Sequence, residues 1–316
     1  MKDAIRAPSI IPYPQPDQTL ASLLALTWIR NGMNVTQFLH AANVSWTFKY
    51  DVSFPHKVKF CYDWLGNVGL ASPQKLIANH CYIPAIRPFF DPTRYEMLML
   101  YVLGTHPIRN RHAFPTQIIR RPEQTLHFCA ACVEYELSLL GYAYAHRTHQ
   151  VIGVELCPTH RIPLGCVAPV KHEPVAKYGV LFDRPLRITP SQTTFGDVAA
   201  KRPEAWLRFA EWVESSLGCT LPTTTFEQRR GVIQHHLGIT ESDKSDGLPD
   251  LLREAIVSQF GEEALELVQF KQGNEDREWA GEFINGVGFQ DHAIANLLVL
   301  SALVPGPAEL ATSLTQ

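Results

Sequence analysis

The sequence CAAC at residues 129–132, followed after 24 intervening residues by CPTH at residues 157–160, decides the fold of this chain. In each motif two residues separate the candidate ligands, and this spacing lets a tight turn point both side chains toward one ion. Together the two turns offer three thiols and one imidazole. They predict a Cys3His zinc site whose ligands are Cys129, Cys132, Cys157 and His160.

Four protein ligands fill the tetrahedral shell of Zn2+ and leave no position for water, so the predicted site is structural and no catalytic residue is assigned. A zinc deaminase also uses a C-x-x-C pair, but it needs an upstream H-x-E and a proline directly before the pair. Here Phe128 precedes Cys129, and no upstream histidine is followed by x-Glu. The sequence therefore predicts a non-enzyme. The alternative to a metal site is a set of unligated core cysteines with a chance histidine.

The composition is that of a soluble globular protein of 316 residues, with 46% hydrophobic and 19% charged residues. At roughly 150 residues per domain, this length suggests about two domains. No secretory signal is recognised, and the apolar run 294–304 is about half of the ~20 residues that a bilayer requires. We therefore expect a cytoplasmic protein without a membrane partner, in a reducing compartment where seven cysteines favour metal over disulfides.

The pattern along the chain predicts a mainly helical protein with a small embedded zinc-ribbon-like α+β module. We expect an N-terminal helical, helix-turn-helix-like domain at 1–105, the zinc-binding module at 106–185 and a C-terminal helical domain at 186–316. A first helix is expected at 18–30 with Asp17 placed to cap it, and a short strand is expected at 151–156. The other predicted helices cover residues 34–42, 73–80, 94–103, 203–217, 228–237, 248–260, 262–270 and 289–303.

The formal charge of −3 argues against a general polyanion binder, so contact with nucleic acid requires a local basic patch. Between His106 and His127, four arginines oppose only Glu123, which gives a local charge of +3. A solvated arginine face is the alternative interpretation. The candidate DNA-binding residues are Arg109, Arg111, Arg120, Arg121 and Arg147.

Several further residues have a simple structural interpretation. Trp206 and Trp212 fall at helical spacing and are predicted to lie in the core. His149 is expected to pack near the metal rather than to bind it, since four better-spaced ligands exist. Ordinary buried cysteines are the preferred interpretation of the remaining Cys residues, because they form no paired C-x-x-C motif. The alternative is a second zinc site with the candidate residues Cys61, His80, Cys81, Cys166 and His172.

The residues around the two motifs resemble those of the TniQ/TnsD family, the target-site selectors of transposons that use an AAA+ regulator. The family pattern of C-x-x-C, then G-x-x-Y-x-x-R-x-H-Q-x-x-G-V, then C-P-x-H-x-x-P-L is matched over residues 129–164. Residues 12–14 (PYP) with Leu20, Ser22 and Leu23 resemble the family's N-terminal signature. The departures are Ala130 for Pro, Ala145 for Trp, Arg161 for Gly and Gln18 for an acidic residue.

The resemblance implies an adaptor that binds target DNA and recruits a TnsC-like AAA+ ATPase, which in turn positions the transposase. Members of the TnsD type bind DNA directly, whereas members from CRISPR-associated transposons ride on an RNA-guided effector complex. The transposase and such an effector are therefore further candidate partners. A zinc-stabilised DNA-binding regulator unrelated to transposition is the remaining alternative. In each case we expect the protein in the bacterial cytoplasm, at the nucleoid when it is bound to DNA.

Overall fold

The computed structural model describes residues 8–32, 58–66, 69–105, 126–167, 180–181, 189–190, 194–239, 247–268, 279–284 and 292–314. These residues are mainly helical with short strands near the cysteine motifs, which confirms the predicted fold class. The predicted helix at 34–42, and with it the second half of the helix-turn-helix arrangement, lies outside the described residues.

The N-terminal region contains four α-helices and one 3-10 helix in its described parts. They are α1 (Leu20–Arg30), α2 (Val58–Trp64), α3 (Pro73–His80), a 3-10 helix (Ile83–Phe89) and α4 (Pro92–Leu103). Helix α3 confirms the prediction, with the Ser72 side chain accepting a hydrogen bond from the amide of Lys75. Helix α4 begins two residues before the predicted start because Asp91 caps it through the amide of Arg94.

The cap of α1 differs from the prediction. The Thr19 hydroxyl accepts a hydrogen bond from the amide of Ser22 and is the N-cap, whereas Asp17 lies outside the helix with φ +56°. The carboxylate of Asp17 does not cap α1 because it binds residues 147 and 148, far along the chain. A cap assigned from local sequence was therefore wrong.

The module around the cysteines combines two small sheets with two helices. A three-stranded antiparallel sheet has the order β1 (Leu126–Phe128), β3 (Gly165–Val167) and β5 (Thr189–Pro190), and β2 (Ala143–Tyr144) pairs with β4 (Val180–Leu181). Helix α5 (Ala130–Leu140) follows β1, and the single turn α6 (Arg147–Gln150) follows β2. The pairing of Phe128 with Gly165 brings the ends of the two cysteine motifs to one side of the module.

The strand predicted at 151–156 is not present. The chain turns at Gly153, which has φ +85°, and forms isolated bridge positions rather than a strand, one of them between Leu156 and Pro163. All six residues of this segment are buried, so the apolar run that suggested a strand instead fills the core around a turn.

The C-terminal region is helical, as predicted. Its elements are α7 (Thr194–Lys201), α8 (Pro203–Leu217), α9 (Phe226–His236), α10 (Leu248–Phe260), a 3-10 helix (Glu262–Leu267), α11 (Trp279–Ile284), α12 (Ala293–Leu303) and α13 (Pro307–Ser313). The predicted bounds of α8 and α10 are confirmed at both ends. Trp206 and Trp212 on α8 are fully buried, which confirms their assignment to the core.

Helix α8 connects the parts of the molecule. It packs against α12, against α6 of the module and against the 3-10 helix at Ile83–Phe89. One hydrophobic core therefore contains residues from all three predicted segments, from Leu20 to Leu310. The predicted division at 105/106 and 185/186 stays a prediction.

The apolar helix α12 is an interior element. Residues 293–301 are all buried. Among the described residues, no helix taken alone has both the length and the hydropathy to cross a bilayer; α12 and α13 reach these values only as a pair, bent by 84°.

Candidate metal centre

The first pair of candidate ligands is positioned by the start of helix α5. Cys129 follows β1 directly and is the N-cap residue of α5, and Cys132 lies within its first turn. The amide of Val133 donates a hydrogen bond to the carbonyl of Cys129, which sets the helical turn. Both thiols are buried and lie on one side of the turn, as the spacing predicts.

The second pair lies in a tight turn after Leu156. The amide of Arg161 donates to the carbonyl of Cys157 at 2.8 Å, and the amide of Cys157 donates to the carbonyl of Ile162 at 2.9 Å. The backbone closes this turn at Arg161 with φ +57°, in the left-handed region that favours glycine. Arg161 therefore holds a conformation that glycine would adopt without strain.

The four candidate ligands have the spacing of a tetrahedral zinc site. The Sγ atoms of Cys132 and Cys157 are 3.8 Å apart, and Nδ1 of His160 lies 3.5, 3.3 and 3.7 Å from the Sγ atoms of Cys129, Cys132 and Cys157. Zn–S bonds of about 2.3 Å and Zn–N bonds of about 2.0 Å at tetrahedral angles require S–S edges of about 3.8 Å and S–N edges of about 3.5 Å. The donor set and its dimensions therefore fit a four-coordinate zinc ion.

The electrostatics of the three thiols also favour a cation. Hydrogen bonds from Cys132 and then Cys157 lower the pKa of Cys129. The contact of Cys132 with Cys129 raises the pKa of Cys132, and the contact of Cys157 with Cys129 raises the pKa of Cys157 to about 11. Three adjacent thiolates would repel one another. A divalent cation between the three sulfur atoms would offset this electrostatic repulsion.

Behind Cys132 lies a second polar cluster, which the sequence analysis did not identify. Nε2 of His146 is 2.5 Å from Oε1 of Glu136, and Nδ1 is 3.7 Å from Oδ2 of Asp17. Burial alone would lower the pKa of His146, but the nearby carboxyl groups of Asp17 and Glu136 raise it to about 9. Burial would raise the pKa of Asp17, but His146 and Arg147 lower it to about 2. The cluster therefore places the ring of His146 between the carboxyl groups of Asp17 and Glu136.

Arg147 has a structural role that differs from its predicted one. Its Nε donates to Oδ1 of Asp17 at 3.0 Å, and its Nη1 donates to the carbonyls of Ala78 and Cys81 at 2.7 and 3.0 Å. The residue is 5% exposed. A guanidinium held inside the protein by these partners does not reach a DNA phosphate, so we remove Arg147 from the candidate DNA-binding set.

Residue Gln150, also part of the quoted pattern, stabilises the strand that leads to the first ligand. Its Oε1 accepts from the amide of His127 at 2.9 Å, and its Nε2 donates to the carbonyl of His127 at 2.8 Å and to that of His146 at 3.1 Å. The side chain thus takes the place of a neighbouring strand beside β1.

The remaining predicted residues are placed as follows. Arg109, Arg111, Arg120, Arg121 and His172 lie outside the described residues. Among the described residues, Cys61, His80, Cys81 and Cys166 do not cluster with two further candidate ligands, and the interpretation of the cysteines as ordinary buried residues stays a prediction. His149 is buried with its ring centroid 4.7 Å from that of His146, and burial, then the charge of His146, lowers its pKa to about 3.

Asp17, Glu136 and His146 are the polar residues of the site that the sequence analysis missed. One signal was available for Glu136, since it stands four residues after Cys132 and so shares its helical face. No local signal connects Asp17 with residues 146–148, because more than 120 residues separate them.

The fold and the site define a mainly helical protein with a small embedded module that brings four candidate metal ligands together. A family model described as TniQ matches residues 9–164, from the N-terminal segment to the residue before β3. The chain belongs to the TniQ family through this domain and is a transposition-associated protein. No curated protein matches the chain.

Proposed function

We propose that the chain is a target-site selector of the TnsD type, which binds target DNA and recruits a TnsC-like AAA+ ATPase to position the transposase. The match to the TniQ family over residues 9–164 carries this proposal. The geometry of the cysteine module supports it, because a four-ligand site leaves no open position for a substrate or a hydrolytic water. The protein then acts as an adaptor in the bacterial cytoplasm.

In this proposal Zn2+ is held by Cys129, Cys132, Cys157 and His160 and has a structural role. The 3.3–3.8 Å separations of the donor atoms support zinc, and so does the softness of three sulfur ligands. Metal analysis of the purified chain tests this assignment. We expect one zinc per chain, and a Cys157→Ser variant should lose it; a chain that contains two zinc ions, or none, contradicts the assignment.

Direct DNA binding is assigned to Arg109, Arg111, Arg120 and Arg121. Each phosphate contact contributes about 0.9 to the slope of log K against log salt. The variant Arg120→Ala with Arg121→Ala should therefore lower this slope by about two in a duplex titration at several salt concentrations. The matched control is Lys59→Ala with Arg253→Ala, which removes two exposed cations whose partners are Asp63 and Glu262. An unchanged slope in the arginine variant would end the assignment.

Recruitment is tested by a pull-down of the purified AAA+ regulator from the same transposon, with and without duplex DNA. We expect the ATPase to be retained by the chain and more of it to be retained on DNA. Retention of the ATPase without any affinity for duplex DNA would instead support an RNA-guided adaptor. DNA binding without retention of the ATPase would support an unrelated zinc-stabilised regulator.

A further inference from the structure

The N-terminal segment lies alongside the cysteine module just before helix α1 begins. Two backbone hydrogen bonds of 2.9 and 2.8 Å hold the two stretches of chain antiparallel; they run from the amide of Thr19 to the carbonyl of Ala145 and from the amide of Arg147 to the carbonyl of Asp17. An isolated antiparallel bridge lies between these two bonds. We refer to residues 17–19 and 145–148 together as the seam.

The side chains of the seam connect it to the ends of two N-terminal helices. The carboxylate of Asp17 accepts a hydrogen bond from Nε of Arg147 at 3.0 Å. Nη1 of Arg147 donates to two carbonyls at the C-terminal end of α3, those of Ala78 and Cys81. On the other side, Thr19 is the N-cap residue of α1. The seam therefore holds the start of α1 and the end of α3.

Glu136 joins the seam to the helix that carries the first pair of candidate metal ligands. It stands one helical turn after Cys132 on α5. Its Oε2 accepts from the amide of Tyr144 at 3.1 Å, and its Oε1 lies 2.5 Å from Nε2 of His146. The ligand atoms of Cys132, Glu136 and His146 all lie within 4.8 Å of one another. The buried carboxyl group of Glu136 thus stands between the candidate metal centre and the seam.

The position of Glu136 depends on the first turn of α5. Cys129 is the N-cap residue of that turn and Cys132 lies within it, so an ion bound to both thiols fixes the turn in place. If the turn is not held, Glu136 loses its place beside His146, and buried polar groups of the seam lose a hydrogen-bond partner. Because linkage is reciprocal, contacts that hold the seam together also strengthen the binding of the ion.

We propose that metal binding at the four candidate ligands and docking of residues 17–19 on the module are coupled, so that loss of the ion opens the seam and releases the start of α1 and the end of α3. The metal then controls the order of the N-terminal helices as well as that of its own module. The inference rests on the zinc assignment of the proposed function, but it does not depend on DNA binding or on the AAA+ regulator.

Hydrogen exchange of the full chain tests the coupling in one direction. Exchange is measured by mass spectrometry on the zinc-loaded protein and on the same protein after zinc is removed with a chelator. We expect residues 16–30 and 73–81 to exchange about tenfold faster or more without zinc, while α10 and α12 keep their protection. Unchanged exchange at 16–30 would refute the coupling. An equal loss of protection in α10 would refute it too, because the whole fold would then depend on the metal without a special role for the seam.

Zinc affinity, measured by competition with a chromophoric chelator, tests the coupling in the other direction. Asp17→Asn changes a residue of the N-terminal segment and should weaken zinc binding about fivefold or more, the lower end of typical coupling between sites. The control for lost stability is Leu252→Ala, which opens a cavity at a fully buried leucine on α10. It should lower the melting temperature but change zinc affinity by less than about twofold. Equal zinc affinities in Asp17→Asn and Leu252→Ala would refute the coupling.

The link through α5 is tested with Glu136→Gln against Glu134→Gln. Both variants remove one negative charge from the same helix, but Glu134 is exposed and Glu136 is buried against the seam. We expect Glu136→Gln alone to speed exchange at residues 16–30 in the zinc-loaded protein, and equal exchange in the two variants would show that Glu136 is not the link. If the wild type binds no zinc, the metal assignment fails and this inference fails with it.

Discussion

Gly153 lies where the cysteine module meets the C-terminal helices, and its replacement by alanine tests that junction. Gly153 has φ +85°, and a Cβ atom there would lie 2.8 Å from Cδ1 of Leu267 and 3.0 Å from Cε1 of Phe209. A residue with a side chain in the left-handed region costs about 1 kcal/mol or more. Forcing an extra methyl group into a packed core costs about 1–3 kcal/mol. We therefore expect Gly153→Ala to lower the free energy of unfolding by about 3 kcal/mol.

The matched control is Gly238→Ala, because Gly238 has φ +69° but no atom within 4 Å of the added Cβ. It carries the backbone cost of about 1 kcal/mol without the packing cost. Urea unfolding followed by tryptophan fluorescence measures both variants, and Trp206 and Trp212 report from the helix that contains Phe209. If Gly153→Ala loses no more stability than Gly238→Ala, then the module does not pack against Phe209 and Leu267 as described.

Three further predictions concern the site itself. Removing the metal with a chelator should abolish protection of residues 126–167 in hydrogen exchange, because the apparent binding free energy of structural zinc is about 10 kcal/mol or more; full protection in the chelated protein would contradict a structural metal. Asp17→Asn should reduce the unfolding free energy by about 3 kcal/mol, since it leaves the buried guanidinium of Arg147 without its carboxylate; a change below about 0.5 kcal/mol in urea unfolding would refute that role. Arg161→Gly should be more stable than Arg161→Ala by about 1 kcal/mol, because both variants lose the exposed ion pair with Glu204 but only glycine relaxes φ +57°; equal melting temperatures would show that the turn is unstrained.

Local chemistry explains which features the sequence could predict. The spacing of CAAC and CPTH depends on two short turns, and those turns bring their four donor atoms within 4.8 Å of one another. Helix α8 begins with Pro203, and helix α10 has Pro249 as its second residue. Each helix is followed by a glycine as its C-cap residue, Gly218 and Gly261 respectively. Signals of this kind act within a few residues, so their bounds could be predicted without tertiary information.

The features that were missed depend on contacts between distant residues. The position of Asp17 before the first helix is typical of an N-cap residue, but its carboxylate instead accepts hydrogen bonds from Arg147 and from the amide of Thr148. Arg147 resembles a phosphate-binding residue until its carbonyl partners at Ala78 and Cys81 are known. Residues 151–156 have the composition of a strand, but Gly153 turns the chain beneath Phe209. In each case a tertiary partner overrides the local preference, and no pattern within the segment records that partner.

These long-range contacts connect the TniQ match to the rest of the chain. The match ends at Leu164, but residues beyond it satisfy polar groups within it: the hydroxyl of Ser216 donates to the carbonyl of Ala85, and the amide and hydroxyl of Thr224 donate to the carbonyl of Pro88, at 2.8–2.9 Å. All four residues are buried, so replacing Ser216 or Thr224 by a residue without a hydroxyl leaves a buried carbonyl with one partner fewer, at a cost of about 1–3 kcal/mol. Helix α8 also packs against the single turn α6 of the cysteine module, so a change in α8 should be felt at the candidate metal ligands.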